Sequence, residues 1–257
     1  MYIWFMIERL VNKLFSSLRT FGFLFGYLPF SLPKLNKIKS LKNEISVEEY
    51  DQLIHEVPQK WAGGILKRTK SEFIVEGLEN LPQGAVLFIS NHEGNFDIPT
   101  LLTHIPKTFG FISKIEVKKI PLISKWMEEM NCVFLDRSNR KSSYRSIQDT
   151  VSQLQQGHSI LMFPEGTRSK GQGIGTFKSG FMRIAKEANV PIVPIAIHGT
   201  SNIMEKNNNK ICPAHVQISI LPSYSKEMIQ ENDSKQTMED LHTVISNKII
   251  ELQSRHK

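Results

Sequence analysis

AVLFISNHEGNFDIP, residues 85–99, decides how the chain folds. Residues 85–89 are apolar without alternation, a run of strand length with the pattern of a strand covered on both faces. The polar turn NHEG follows, and a helix is expected to start with Asp97 as its N-cap and Pro99 in its first turn. Strand, polar loop, helix is the repeating unit of an α/β protein, whose chemistry sits beyond the carboxyl ends of the strands.

The same alternation extends in both directions. Ser46 followed by Glu49 has capping-box spacing and opens a helix expected to run to about Lys70, loosened around Gly63 and Gly64. Further strands are expected near 73–75, 108–113, 132–135, 159–163, 192–197 and 216–221. Helices are expected at about 98–105, 121–130, 142–156, 177–188 and 236–254. The fold class is therefore α/β, a sheet with helices against its faces.

Composition narrows the class of partner. Of 257 residues, 40% are hydrophobic and 22% charged, which excludes intrinsic disorder. With 32 Lys and Arg against 25 Asp and Glu, the net charge of +7 points to an anionic partner. Cys132 and Cys212 form no zinc-ligand or disulfide pattern, and both read as buried, reduced side chains. No metal site is expected.

The first thirty-odd residues are a different material, with nine aromatic residues before position 31. Glu8, Arg9 and Lys13 interrupt the apolar run, so it does not read as a secretory signal. The longest uncharged stretch, 20–33, is too short to span a bilayer and carries Pro29 and Pro33. Leu10, Leu14, Leu18 and Gly22 step by four, with Val11, Phe15 and Phe25 alongside and Arg9, Lys13 and Arg19 opposite, an amphipathic helix. A basic amphipathic helix with an aromatic extension suits the surface of an anionic bilayer, and packing against the chain's own core is the alternative. The division expected is 1–35 as a membrane-associated helical segment and 36–257 as the catalytic domain. Residues 34–43, KLNKIKSLKN, read equally as a linker or a second membrane-facing strip.

The loop after the decisive strand holds His92 and Asp97. An imidazole can take a proton near neutral pH, and a carboxylate on its far nitrogen fixes the tautomer and stabilises the imidazolium. Taken alone, this spacing is weak and usually marks a structural histidine before a helix cap. The strand ILMF then runs into PEGTRSKGQG, where glycine lets backbone amides face a ligand and Arg168 can grip a phosphate in two bonds. The glycines at 171, 173 and 175 do not form a nucleotide-binding P-loop. A plain glycine-containing surface loop is the alternative.

Together the blocks become specific. NHEGNFD at 91–97, VFLDR at 133–137, FPEGTRS at 163–169 and VPIVPIAI at 190–197 resemble, in order, four motifs of the glycerolipid acyltransferase family, which includes 1-acyl-sn-glycerol-3-phosphate acyltransferases. The resemblance covers roughly residues 70–200. It implies a single mixed sheet flanked by helices, and acyl transfer from acyl-CoA or acyl-carrier protein to the sn-2 hydroxyl of lysophosphatidate, giving phosphatidate for phospholipid biosynthesis. No cofactor and no covalent acyl-enzyme are implied.

In that scheme His92 deprotonates the acceptor hydroxyl and Asp97 holds it. Lys114, Arg137, Glu165, Gly166, Thr167 and Arg168 carry over as the acceptor-phosphate site, with Glu165 ordering the basic groups. Val190, Pro191, Ile192 and Pro194 take a structural or acyl-lining role, in a strand with prolines at its edges. Asn131 stands where the family often has glycine, and Glu93 where serine, glutamine or arginine is common, departures that could alter substrate preference. The loop amides around Gly94 or Gly166 are the candidate oxyanion donors. His198 reads as a satisfied strand-end residue, and His104, His158 and His215 as background.

The partners implied are an anionic bilayer, a lysophospholipid acceptor and the acyl donor, with the protein peripheral or monotopic on the cytoplasmic face. Other acceptors on the same fold, glycerol 3-phosphate or another lysolipid, are the nearest alternative. A nucleic-acid-binding protein would account for the charge but not for the aromatic N-terminus or the motif order.

Overall fold

The computed structural model describes residues 2–255, and side chains from Ser16 to Arg255 except that of Arg140. Seven strands form one mixed sheet in the order β1-β7-β6-β2-β5-β3-β4. They are β1 (Glu72–Glu76), β2 (Leu87–Ser90), β3 (Gly110–Lys114), β4 (Val133–Leu135), β5 (Ile160–Met162), β6 (Ile192–His198) and β7 (His215–Ile220). Every pairing is parallel except β6 with β7, so β6, β2, β5, β3 and β4 all point the same way. All seven expected strands are present, within two residues of their expected ends.

The central strand explains why the sheet is buried on both sides. Leu87 and Ile89 face one core with Leu154 of α5 (Arg140–Gln155), Phe181 of α6 (Gly180–Ala188) and Leu241 and Ile245 of α8 (Ser234–Ser254). Val86 and Phe88 face the other, with Leu101 of α3 (Asp97–His104) and Met127 of α4 (Pro121–Glu129). Period-two alternation thus feeds two apolar layers. Burying each such side chain contributes roughly 1.5–3 kcal/mol, which anchors the loops at the strand ends.

Several local expectations are corrected. The helix after the decisive loop is capped by Phe96, and Asp97 is its first residue, because the Asp97 carboxylate is committed elsewhere. α2 (Val47–Thr69) starts at the Ser46–Glu49 capping box and runs unbroken past Gly63 and Gly64. Pro194 lies inside β6 rather than at its edge; its carbonyl still accepts from Leu221 N at 2.9 Å. Asn131 has φ 59°, so the position tolerates asparagine in place of glycine because asparagine enters the left-handed region readily.

The N-terminal helix α1 (Tyr2–Lys39) continues through Pro29 and Pro33, taking Lys34–Lys39 into its last turns instead of a linker. Leu28, Leu35 and Ile38 pack against Tyr50, Ile54 and Val57 of α2 and Trp126 of α4. Trp61 Nε1 donates to Leu24 O at 3.1 Å, and Trp126 Nε1 to Ser31 Oγ at 2.9 Å. The opposite face leaves Leu18, Phe21, Phe25 and Phe30 exposed, Phe30 to 87%. One face of the helix packs on the domain while another stays uncovered. The expected stripe positions Leu10, Val11, Leu14 and Phe15, with Arg9 and Lys13, lie outside the residues whose side chains are described. No described helix is long and apolar enough to cross a membrane.

Candidate active site

Five parallel strands deliver their following loops to one end of the sheet. His92 sits two residues past β2, Lys114 ends β3, Arg137 follows β4, residues 163–170 follow β5, and the Gly199–Ser201 turn follows β6. His92 Nδ1 lies 2.6 Å from Asp97 Oδ2, and the ring stacks on Phe163 with centroids 4.0 Å apart. Asp97 is fully buried, whereas the His92 side chain keeps 21% exposure. Because the carboxylate accepts the Nδ1 proton, Nε2 carries the lone pair and is the nitrogen left for a ligand.

That ring lines a cavity of about 820 Å³. Lys114, Arg137, Arg168, Lys170 and Lys178 supply its positive charge, and no carboxylate lines it among the described residues. Ile98, Phe111, Val117, Leu135, Ile147 and Ile184 supply much of the remaining wall, with Asn95, Ser113, Ser143 and Ser146 between them. A ligand with an anionic group and a hydrocarbon portion fits both halves.

The loops that frame the cavity are tied to each other through their backbones. Ser169 N donates to His92 O at 2.8 Å and Lys170 N to Glu93 O at 2.9 Å. Glu165 accepts from the His92 and Gly175 amides, both at 2.7 Å. It therefore holds backbone rather than ordering the basic side chains. A Cβ at Gly175 would come within 2.8 Å of Glu165 Oε2, so a larger residue there would have to displace that carboxylate. Burial pushes the Glu165 carboxyl above its ordinary range, against the lowering pull of those two amides.

The expected phosphate residues converge in part. Arg137 donates to the Gly166 carbonyl, fixing its head beside the loop. Gly166 has φ 72°, and a Cβ there would sit 3.1 Å from Lys178 Nζ and 3.6 Å from Arg137. Thr167, Arg168 and Lys114 are exposed and line the same cavity. Val190, Pro191, Ile192 and Pro194 do not reach the cavity; Ile192 is fully buried in the core and Val190 nearly so. They pack in or beside the core, and the apolar part of the cavity wall comes from other strands and helices. The candidate oxyanion amides are already engaged, Gly94 N with Asp97 Oδ2 at 3.1 Å and Gly166 N with Phe163 O at 3.1 Å.

Two cavity side chains are not marked by the sequence, and a third, Glu93, is placed differently from what its sequence position suggests. Lys178 and Lys170 lack a distinctive residue pattern but project into the same cavity. Glu93 is buried and points away from substrate space, accepting from His198 Nδ1 at 3.1 Å, Gly199 N at 2.9 Å and Ser201 N at 3.2 Å. The same contact satisfies His198, as expected of a strand-end histidine.

A histidine backed by a buried aspartate faces a cavity lined by both cationic and apolar side chains, an arrangement that can hold an amphiphilic anion beside a general base. A family model described as Acyltransferase matches residues 72–198. Over that stretch the chain is similar to this family. It is 40% identical over 139 residues to a chloroplastic 1-acyl-sn-glycerol-3-phosphate acyltransferase of Arabidopsis thaliana, covering 53% of this chain and 39% of that one. It is 36% identical over 174 residues to a probable 1-acyl-sn-glycerol-3-phosphate acyltransferase of Mycoplasma pneumoniae, covering 63% and 65%. The Escherichia coli 1-acyl-sn-glycerol-3-phosphate acyltransferase is 29% identical over 170 residues, covering 66% and 69%. The chain thus spans less than two thirds of the length of the first two relatives. The fold is that of the crystal structure of the 1-acyl-sn-glycerophosphate (LPA) acyltransferase from Thermotoga maritima, with a TM-score of 0.80, 24% identity and coverage of 96% and 97%.

Proposed function

We propose that the protein transfers an acyl chain from acyl-CoA or acyl-carrier protein to the sn-2 hydroxyl of lysophosphatidate, forming phosphatidate. The observation that carries this reading is His92, held by buried Asp97 with Nε2 open to a cation-lined cavity of about 820 Å³. Nε2 removes the hydroxyl proton as the oxygen attacks the thioester carbonyl. The C–O bond forms, the C–S bond breaks, and the imidazolium returns the proton to the departing thiolate. The thioester is already activated, so general-base help of roughly 10²–10⁴-fold plus alignment of the two substrates supplies much of the acceleration.

Arg137, Arg168, Lys114 and Lys178 hold the phosphate, and the apolar wall takes hydrocarbon. The uncovered stripe of α1, with Leu18, Phe25 and Phe30, lies against an anionic bilayer, its basic residues meeting the headgroups. The cytoplasmic face is the side on which both acyl donors are supplied.

The deciding assay offers the full chain, on anionic vesicles, labelled acyl-CoA or acyl-carrier protein with a panel of acceptors. Lysophosphatidate should be the best, ahead of glycerol 3-phosphate and of lysolipids lacking a terminal phosphate. Equal use of all acceptors would overturn the phosphate assignment. Replacing Leu18, Phe25 and Phe30 together by glutamine should release the protein from vesicles in co-sedimentation; undiminished binding would remove α1 as the docking face.

A further inference from the structure

Asp97 has two oxygens, and its support of the His92 base uses only Oδ2. The other, Oδ1, is fully buried with its residue and accepts from Thr200 Oγ1, a contact between residues 103 apart in sequence. Thr200 is itself fully buried. Its hydroxyl also lies 3.3 Å from Glu93 Oε2. A hydroxyl has one proton to give, so one of the two carboxylates must go without. Glu93 Oε2 already receives Gly199 N at 2.9 Å, Ser201 N at 3.2 Å and Ser201 Oγ at 3.2 Å. Asp97 Oδ1 has Thr200 as its donor. The proton therefore belongs to Asp97.

The position of Thr200 is equally determined. Gly199 has φ 97°, and a Cβ there would strike His215 O at 2.1 Å, so the chain turns sharply after β6. Glu93 then clamps that turn by its two amides. The result is a buried bracket running from Glu93 through the turn to Thr200, on to Asp97, and from there to His92.

We propose that Thr200 is a positioning residue for the base: its hydroxyl pins the Asp97 carboxylate so that Oδ2 meets His92 Nδ1 and Nε2 faces the cavity. The inference rests on His92 being the base. Without the hydroxyl, Oδ1 is an unsatisfied acceptor in a closed site and the carboxylate can rotate to share Gly94 N and His92 differently.

The test compares Thr200→Val, which keeps shape and removes the donor, with Thr200→Ser, which keeps the donor. In the full chain on vesicles, Thr200→Val should lower kcat about 10- to 100-fold with the acceptor KM within about twofold, the size expected for losing one bond to a charged group. Thr200→Ser should remain within about threefold of wild type. In an Asp97→Asn background, Thr200→Val should cost little more, since both changes strike one unit. A valine variant with unchanged kcat, equal losses for serine and valine, or fully additive effects would overturn the proposal. Should the valine variant not fold, ¹⁵N spectra of His92 in Thr200→Ala test the same hydrogen bond. A wild-type Nδ1–H signal there would overturn the proposal, and a perturbed one supports it. That signal is independent of turnover, so failure of the base reading, seen as full activity in His92→Ala, is distinguishable from failure of this one.

Discussion

Two histidine–carboxylate pairs of nearly the same length lie at opposite ends of the sheet. His92 meets Asp97 at 2.6 Å beyond the carboxyl end of β2, and His158 meets Asp51 at 2.7 Å before the amino end of the neighbouring β5. Distance alone does not separate a base from a structural bond. The lower pair is closed in: the His158 side chain is 11% exposed, and Asn131 Nδ2 approaches both its Nδ1 at 3.0 Å and Asp51 Oδ1 at 3.3 Å. His55 completes that cluster between Asp51 O and Phe109 O, and burial pushes its imidazole down toward the neutral form. The upper pair opens onto a cavity rich in cations. What makes the difference is whether the second nitrogen has somewhere to send a proton, and whether a charged substrate can be held beside it.

The largest expected effect breaks this comparison outright if it fails. His92→Ala should lower kcat roughly 10²–10⁴-fold in a protein that still folds, Asp97 keeping its bonds from Gly94 N and Thr200 Oγ1. His158→Ala should do the reverse, leaving turnover within about twofold while costing about 3 kcal/mol, because it strands buried Asp51. Acyl-transfer kinetics and denaturant titration of the two purified variants check both halves. Comparable kinetic losses in the two would mean that position in the sheet does not distinguish the pairs.

A smaller effect sharpens the upper end. Lys178 is placed by Pro164 O, which accepts its backbone amide at 3.1 Å, and its ammonium sits over Gly166 beside Arg137. Lys178→Ala should raise the acceptor KM about 10-fold at nearly constant kcat, because the phosphate is held alike in ground and transition states. The difference should shrink at high ionic strength, where screening weakens exposed charge pairs. An unchanged KM would remove Lys178 from the phosphate site.

The sequence made the upper pair readable and hid the lower one for a physical reason. His92 and Asp97 are five residues apart across one turn, so a local pattern carries the contact. Asp51 and His158 are 107 residues apart, and only the docking of α2 under β5 brings them together. The strands were legible because apolar runs of strand length are a local property. Their order was not, since the antiparallel neighbour β7 is fixed by tertiary pairing. Val190, Pro191, Ile192 and Pro194 show the limit from the other side: an apolar strand reads alike whether it faces a ligand or the core. Glu93 looked like a specificity residue because it adjoins the base in sequence, yet alternation in the loop turns it inward, away from the cavity.

Glu93 and His198 form a third pair, at 3.1 Å, and give the smallest effect. Burial works to raise the Glu93 carboxyl, but hydrogen bonds and charge from His198 and the amides of Ser201 and Gly199 outweigh it, so the group lies below its ordinary value of 4.5. A carboxyl lowered on folding contributes stability that is present above its unfolded value and lost as pH falls through its folded one. Glu93→Gln removes that contribution, so the variant should melt below wild type at pH 7, and the gap should narrow as the pH is taken below about 4.5. The pair at the lower end supplies the control, because a Gln at Glu93 leaves Asp51 and His158 untouched. Thermal unfolding of both proteins across this range measures it. A gap that stays constant with pH would mean that Glu93 acts in its bracket through shape and hydrogen bonding alone, with its charge immaterial to the turn that holds Thr200.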